Sequence, residues 1–214
     1  AGKAHPADIP GQNLIHEWME FIQKPEARPH VIFLTDYDML LTARLVQGVD
    51  VWINTPRRPW EACGTSGMKI LVNGGLNLSE LDGWWAEAYS PEMGWALGDG
   101  KEHDTDPSWE ASEAFNLYEI LEKTIIPEFY TRDASLIPRS WTFKIKESMA
   151  RLTPRFSATR AVCEYTEKHY LVAAKNYLDR SQNKAALGKE IAAWQNTLQE
   201  KWPLLYFNEV KVKT

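Results

Sequence analysis

The chain has 214 residues, enough for one large domain or one domain plus a fragment at roughly 150 residues per domain. Its formal charge is −5, with 44% hydrophobic and 25% charged residues, which excludes global disorder and argues against a dedicated nucleic-acid binder, whose affinity rests on clustered Lys and Arg. Apolar runs such as residues 31–34 fall far short of the roughly 20 residues needed to span a bilayer. The two cysteines, Cys63 and Cys163, are too few for a disulfide scaffold and suit a reducing compartment, so a cytoplasmic location is expected.

Residues 1–10 carry neither the basic start nor the apolar core of a signal peptide. Residues 10–24 predict an amphipathic helix through Leu14, Trp18, Phe21 and Ile22, ended by Pro25. The apolar run 30–34 predicts a strand buried on both faces. A short helix is expected over 39–46, closed by Gly48 as a left-handed cap, followed by a second strand over 49–53. A loop rich in Pro, Arg and Gly over 54–67 then leads into a helix through 68–72. Strand, helix, strand, loop and helix in this order are the alternation of a parallel α/β sheet.

Further short strands are expected at 76–78 and 95–97, with Asp82-Gly83 as a turn between them. From Glu110 onward the pattern is helical, over 110–124, 141–151, 157–179 and 184–201, with Pro127, Pro138, Pro154 and Pro203 as breaks. The alternating stretch 205–214 reads as a strand that stops abruptly, which suggests a piece of a longer protein. The expected organisation is therefore an α/β part over 1–108, a helical part over 109–204 and the start of a truncated strand over 205–214.

Chemistry concentrates in residues 54–69. Gly64-Thr65-Ser66-Gly67 stands where a loop that follows a strand enters a helix. Unbonded N–H groups at such a helix start, flanked by small residues, suit an anion such as phosphate. Thr65 and Ser66 add hydroxyls, and Lys69 follows within the first turn, where its amine suits a phosphate contact or a Schiff base. Glu61 offers a carboxylate for sugar hydroxyls. The same pattern also describes an ordinary helix cap with a solvated lysine, and Arg57 and Arg58 suit either anions or solvent. Neither the Walker spacing nor the dinucleotide fingerprint is present.

Elsewhere, most of the ten Trp residues are expected in the core, with Trp60 beside Glu61 as a neighbour of a sugar site. His103 and Asp104 read as a solvated polar pair, Cys163 as a small core residue, and the 184–201 helix as amphipathic packing through Ala185, Leu187, Ile191, Trp194 and Leu198. No histidine shows metal-ligand spacing.

The run Glu61-Ala-Cys-Gly-Thr-Ser-Gly-Met-Lys69, continuing through Asn73-Gly74, Leu76, Asp82-Gly83 and Glu87, resembles the pyridoxal-phosphate segment of the α-glucan phosphorylases. Residues 1–6, Phe33-Leu34 with Asp36-Tyr37, and Trp60 are similar to that family too, and Asn54-Thr-Pro-Arg-Arg-Pro-Trp60 is closest to its shorter bacterial-type branch. The likeness runs from Ala1 to about Leu178. It implies an incomplete Rossmann-like parallel sheet of the C-terminal domain of a GT-B fold, followed by a mostly helical layer.

The resemblance also implies that Lys69 carries pyridoxal 5′-phosphate, with Gly64, Thr65, Ser66 and Tyr37 around the cofactor phosphate. Lys69 and Thr65 would serve catalysis. Glu61, Ala62, Cys63 and Gly64 would line the glucosyl subsite, and the substrates would be an α-1,4-glucan and inorganic phosphate, giving glucose 1-phosphate with retention. Cys63 stands where many family members have Ser, and Gly67 where many have Asn. The Lys/Arg pair that neutralises the cofactor phosphate in the family belongs to an earlier segment, as does the N-terminal domain that forms the other cleft wall. The 214 residues alone are therefore expected to be inactive, with the missing N-terminal domain as their partner. A sugar-nucleotide glycosyltransferase of the glycogen synthase kind and a non-catalytic glucan-binding fragment are the alternatives that the residues leave open.

Overall fold

The computed structural model describes residues 3–35, 37–103 and 106–206. The chain divides into two compact units, Ala1–Arg155 and Phe156–Thr214.

The first unit is built on three parallel strands in the order β1 (Val51–Asn54), β2 (Leu76–Glu80) and β3 (Gly94–Leu97). All five residues of β2 are buried, as a central strand covered on both faces requires. Side chains alternate along it. Leu76 and Leu78 join Trp95, Leu97, Ile125 and Trp141 in the main core, whereas Asn77 approaches the opposite face, where a 3-10 helix (Ser66–Asn73) follows the 54–65 loop. That helix buries Ile70 and Leu71 and ends on Gly74 in the left-handed conformation, which glycine adopts at no steric cost.

The core face of the sheet is covered by α4 (Pro107–Ile120), α5 (Ile126–Tyr130) and α6 (Arg139–Arg155), with a π-helical turn over Leu121–Ile125 joining the first two. Trp141 anchors this layer, with its ring 5.4 Å from Trp95 and 4.9 Å from Phe129. The short helix α3 (Gly83–Ala88) places Trp84 and Trp85 in the interior, but with Trp95 and Trp141 they are the only four buried of the ten tryptophans. Trp18, Trp60, Trp194 and Trp202 are exposed, so the expectation that most lie in the core is not met. Pro127 and Pro154 do not break their elements. Pro127 occupies the first turn of α5, where its missing N–H costs nothing, and Pro154 lies in the last turn of α6.

Ahead of the sheet lie α1 (Ile9–Phe21), capped by Asp8, and α2 (Met39–Gly48), capped by Asp38. Two expectations fail here. Gly48 is not a left-handed cap; it is the last helical residue, and Val49 leaves in extended conformation. Residues 31–35 form no strand, and Ile32 is 79% exposed. A strand exists only through its ladder, and this segment has no ladder partner among the described residues.

The second unit is helical: α7 (Ala158–Tyr165), a π-helical turn (Thr166–Tyr170), α8 (Leu171–Lys201) and a 3-10 turn (Trp202–Leu204). The helix break expected between 179 and 184 is present. Gln182 leaves helical geometry and Asn183, Lys184 and Ala185 take positive φ, so α8 is two helices meeting at a corner. The amphipathic packing expected of 184–201 is present only in part: Ala185 and Ile191 are half-buried, whereas Trp194 is 61% exposed and Leu187 and Leu198 are also exposed. Cys163 is likewise exposed and not a core residue. The strand expected over 205–214 lies, from residue 207 onward, outside the described residues. No helix among the described residues is long and apolar enough to cross a membrane.

Candidate functional site

In a parallel sheet the connections leaving the carboxyl ends of the strands form the ligand-binding edge. Here the 55–65 loop follows β1, Leu81–Trp84 follow β2, and the loop through Glu102 follows β3. They enclose an open pocket of about 540 Å³. Glu61, Ala62, Cys63, Gly64 and Thr65 line it from one side, Asp82, Gly83 and Trp84 from another, with Arg58, Pro59, Met68 and Glu102 completing the wall.

The loop is held by a small polar network. Asn54, the last residue of β1, donates from Nδ2 to the Cys63 carbonyl at 3.1 Å and to Ser79 Oγ at 3.3 Å. Cys63 N–H donates to Asp82 Oδ2 at 3.1 Å. Arg58 donates from Nη1 to the Leu81 carbonyl at 2.8 Å, and its Nε lies 3.7 Å from Asp82 Oδ1. Glu61 closes a turn on Arg57: its N–H donates to the Arg57 carbonyl, and its carboxylate accepts from the Arg57 N–H at 3.2 Å. The Arg57 side chain pairs with Glu110 of α4. Both arginines are therefore structural ties of the loop. Burial pushes the Cys63 thiol up, so at neutral pH it is a packed, protonated side chain.

The entry to the 3-10 helix has the character expected of an anion site. Thr65 makes no side-chain capping bond, and the N–H groups of Thr65, Ser66 and Gly67 make no hydrogen bond among the described residues. Gly64 has φ +65 with open space above its α-carbon. Gly67 is the opposite case, because a Cβ there would stand 2.3 Å from Asn77 Oδ1 and 2.9 Å from the Trp84 ring. An Asn at this position would demand a different packing of helix on sheet.

Of the residues singled out from sequence, Glu61, Ala62, Cys63, Gly64 and Thr65 come together around the pocket. Ser66 is half-buried at the helix start, and Lys69 is exposed one turn further on; neither lines the pocket. Tyr37 lies half-buried just before α2 and also stands outside it. Trp60, expected as a sugar-site neighbour, is 65% exposed and not part of the wall. His103 is not solvated as expected; it stacks on Trp109 with ring centroids 3.6 Å apart and bonds Asp99 at 3.0 Å, while Asp104 lies outside the described residues. Asp82 and Met68 enter the sequence analysis as parts of the run that resembles the phosphorylases but without a role in the site, and Glu102 does not enter it. Position at the end of a strand was the available signal for Asp82. Among the described residues no group of three or more His, Cys, Asp or Glu is placed to hold a metal ion.

This arrangement defines an α/β unit with a three-stranded parallel sheet and an open pocket at the strand carboxyl ends. Over 98% of its length the chain is 38% identical to a glycogen phosphorylase from Mycobacterium tuberculosis. It is 45% identical over 79% of its length to a glycogen phosphorylase from Aquifex aeolicus, and 39% identical over 94% to a maltodextrin phosphorylase from Thermococcus litoralis. In each case it spans 24% of the relative's length. No family model matches the chain. The resemblance to the α-glucan phosphorylases that the 61–69 run carries thus extends over nearly the whole chain.

Proposed function

We propose that the chain forms the glucosyl- and cofactor-holding part of an α-glucan phosphorylase, within the C-terminal domain of a GT-B fold, which transfers a terminal α-1,4-linked glucosyl unit to inorganic phosphate. The single observation that carries this reading is the gathering of Glu61, Ala62, Cys63, Gly64 and Thr65 around one pocket beside a helix start with unbonded N–H groups. Those are the residues that the phosphorylase resemblance assigns to the glucosyl subsite and the phosphates.

Pyridoxal 5′-phosphate suits the donor set: an exposed primary amine at Lys69, three backbone N–H groups at 65–67 without an acceptor among the described residues, and an unfilled space over Gly64. When bound, its phosphate group would supply proton-transfer capacity next to inorganic phosphate. Lys69 would hold the group, Thr65 and Ser66 would orient the phosphates, and Tyr37 would approach from the loop before α2. Glu61, exposed at the pocket mouth, would accept glucosyl hydroxyls and fix the sugar ring. Two phosphates side by side repel strongly, and the aligned N–H dipoles at 65–67 offset part of that cost.

The test is borohydride reduction in the presence of pyridoxal phosphate followed by peptide mapping, on the 214-residue chain and on a longer phosphorylase chain containing it. A pyridoxyl mass on the Lys69 peptide of the longer chain, lost in Lys69→Ala, is the expected result. Absence of label at Lys69 in both overturns the cofactor reading. Glucose 1-phosphate formation from maltoheptaose is expected from the longer chain alone, because the 214 residues span 24% of the relatives' length.

A further inference from the structure

At the end of β2, next to the pocket, stands a carboxyl group that the proposed reaction does not use. Glu80 is only 5% exposed. The loop after β3 closes over it so tightly that a Cβ on Gly98, which has φ +73, would lie 1.7 Å from Glu80 Oε1. Its side chain meets Glu113 of α4 across a cavity of about 40 Å³, which Arg57, Arg58, His103 and Glu110 also line. The room is that of a water molecule or two, too little for a substrate.

We infer that Glu80 is a positioning residue of the pocket, acting by leaving or taking the Arg58 guanidinium that otherwise braces Asp82 beneath Cys63. Arg58 is the pivot. It now serves the Leu81 carbonyl at 2.8 Å and stands 3.7 Å from Asp82, while Asp82 holds the Cys63 N–H at 3.1 Å. The long Arg58–Asp82 separation leaves the guanidinium open to a competitor. Burial first, and then the hydrogen bond and charge of Glu113, push the Glu80 carboxyl up to about 8. As a neutral acid it donates to Glu113 and leaves Arg58 to Asp82. As a carboxylate it faces Glu113 as a like charge, and Arg58 becomes its best counter-ion.

The other charged groups around it set the balance. Glu110 joins Glu113 on α4, Arg57 joins Arg58 on the loop after β1, Asp82 lies in the turn after β2, and Lys101 and His103 come from the loop after β3. Arg57 is engaged with Glu110, His103 with Asp99, and Lys101 extends into solvent 3.9 Å from Asp99, so the mostly buried Arg58 is the cation whose charge acts on Glu80. The consequence is a pocket wall at 61–65 that is firm at neutral pH and loosens in mild alkali. The inference rests on the proposed glucosyl pocket for its purpose, but not for its test.

The experiment is backbone hydrogen exchange on the 214-residue chain without any ligand, with protection factors corrected for the intrinsic rate at each pH. Between pH 6.5 and 9, protection of the 57–65 segment, with Cys63 N–H as its centre, is expected to fall by about tenfold while α6 changes less than about twofold. In Glu80→Gln the 57–65 segment is expected to keep its protection over the same range. Where that variant does not fold, Glu113→Gln serves. It removes the like charge, so loosening is expected to begin at lower pH than in the parent. Constant protection of 57–65 in the parent, an equal loss in Glu80→Gln, or an unmoved onset in Glu113→Gln overturns the inference. Because no substrate is used, these results stand apart from success or failure of the pyridoxyl labelling.

Discussion

Asn77 donates from Nδ2 to the carbonyl of Gly67 at 3.1 Å, a buried bond that ties the first turn of the site helix to the central strand. The two backbones approach so closely that a side chain at 67 has no room: its Cβ would meet Asn77 Oδ1 at 2.3 Å. Gly67→Ala is therefore expected to destabilise the first unit by about 1–3 kcal/mol through overpacking. Thermal melts followed by circular dichroism should show the lower midpoint. An unchanged midpoint would mean that the helix can slide on the strand.

The two cysteines give a simple report on the loop. Cys163 is exposed, whereas Cys63 is buried with its thiol pushed up by desolvation and anchored through its N–H to Asp82. Titration with a disulfide reagent at pH 7 is expected to modify one thiol per native chain rapidly and the second about a hundredfold more slowly. Both should react at once in guanidinium. Two fast thiols in the native chain would contradict the tied loop.

Glu80 also makes stability depend on pH, and the sign follows from the direction of its shift. The folded state holds the Glu80 proton more tightly than the unfolded chain, in which the carboxyl titrates at its ordinary value of 4.5. Its contribution is complete below that value and is lost as pH rises toward about 8. Urea midpoints are expected to fall from pH 5 to pH 8.5, and Glu80→Gln should flatten the curve over that window. At pH 8.5 the variant should be the more stable protein, by on the order of 1–3 kcal/mol.

Trp141 reaches two rings at once, Trp95 on the sheet and Phe129 on α5, and is 4% exposed. Trp141→Ala should cost about 3–5 kcal/mol. That is a large part of a domain's net stability. Loss of near-ultraviolet dichroism with far-ultraviolet signal partly retained is the expected signature, and a fully native spectrum would refute the anchor role.

The sheet strands 51–54, 76–80 and 94–97 and the entry of the 66–73 helix were legible because short apolar runs and Gly-rich junctions are local signals. The break in α8 near 182 was legible from the wholly polar run 179–184, which interrupts the apolar periodicity on either side. The strand expected at 30–34 was not realised, since apolar content supplies a face but only a neighbour supplies the ladder. Within the site, the contiguous run 61–65 could be read directly. Arg58 and Asp82 could not, because their pairing joins loops after different strands and no local pattern encodes it. Trp60 misled, since a large ring beside a carboxylate says nothing about which way the ring turns.

The outer margin of β1 has a consequence for handling the protein. No strand pairs with the far side of β1 among the described residues, and Ile53 is 48% exposed. Any extended segment offered in the right direction can continue the sheet there, whether from elsewhere in the same molecule or from another copy. Four residues of main chain would then govern how concentrated a solution can be kept clear, with the net charge of −5 as the opposing force. Salt, which screens that repulsion but leaves hydrogen bonds intact, should bring on association sooner than dilution relieves it.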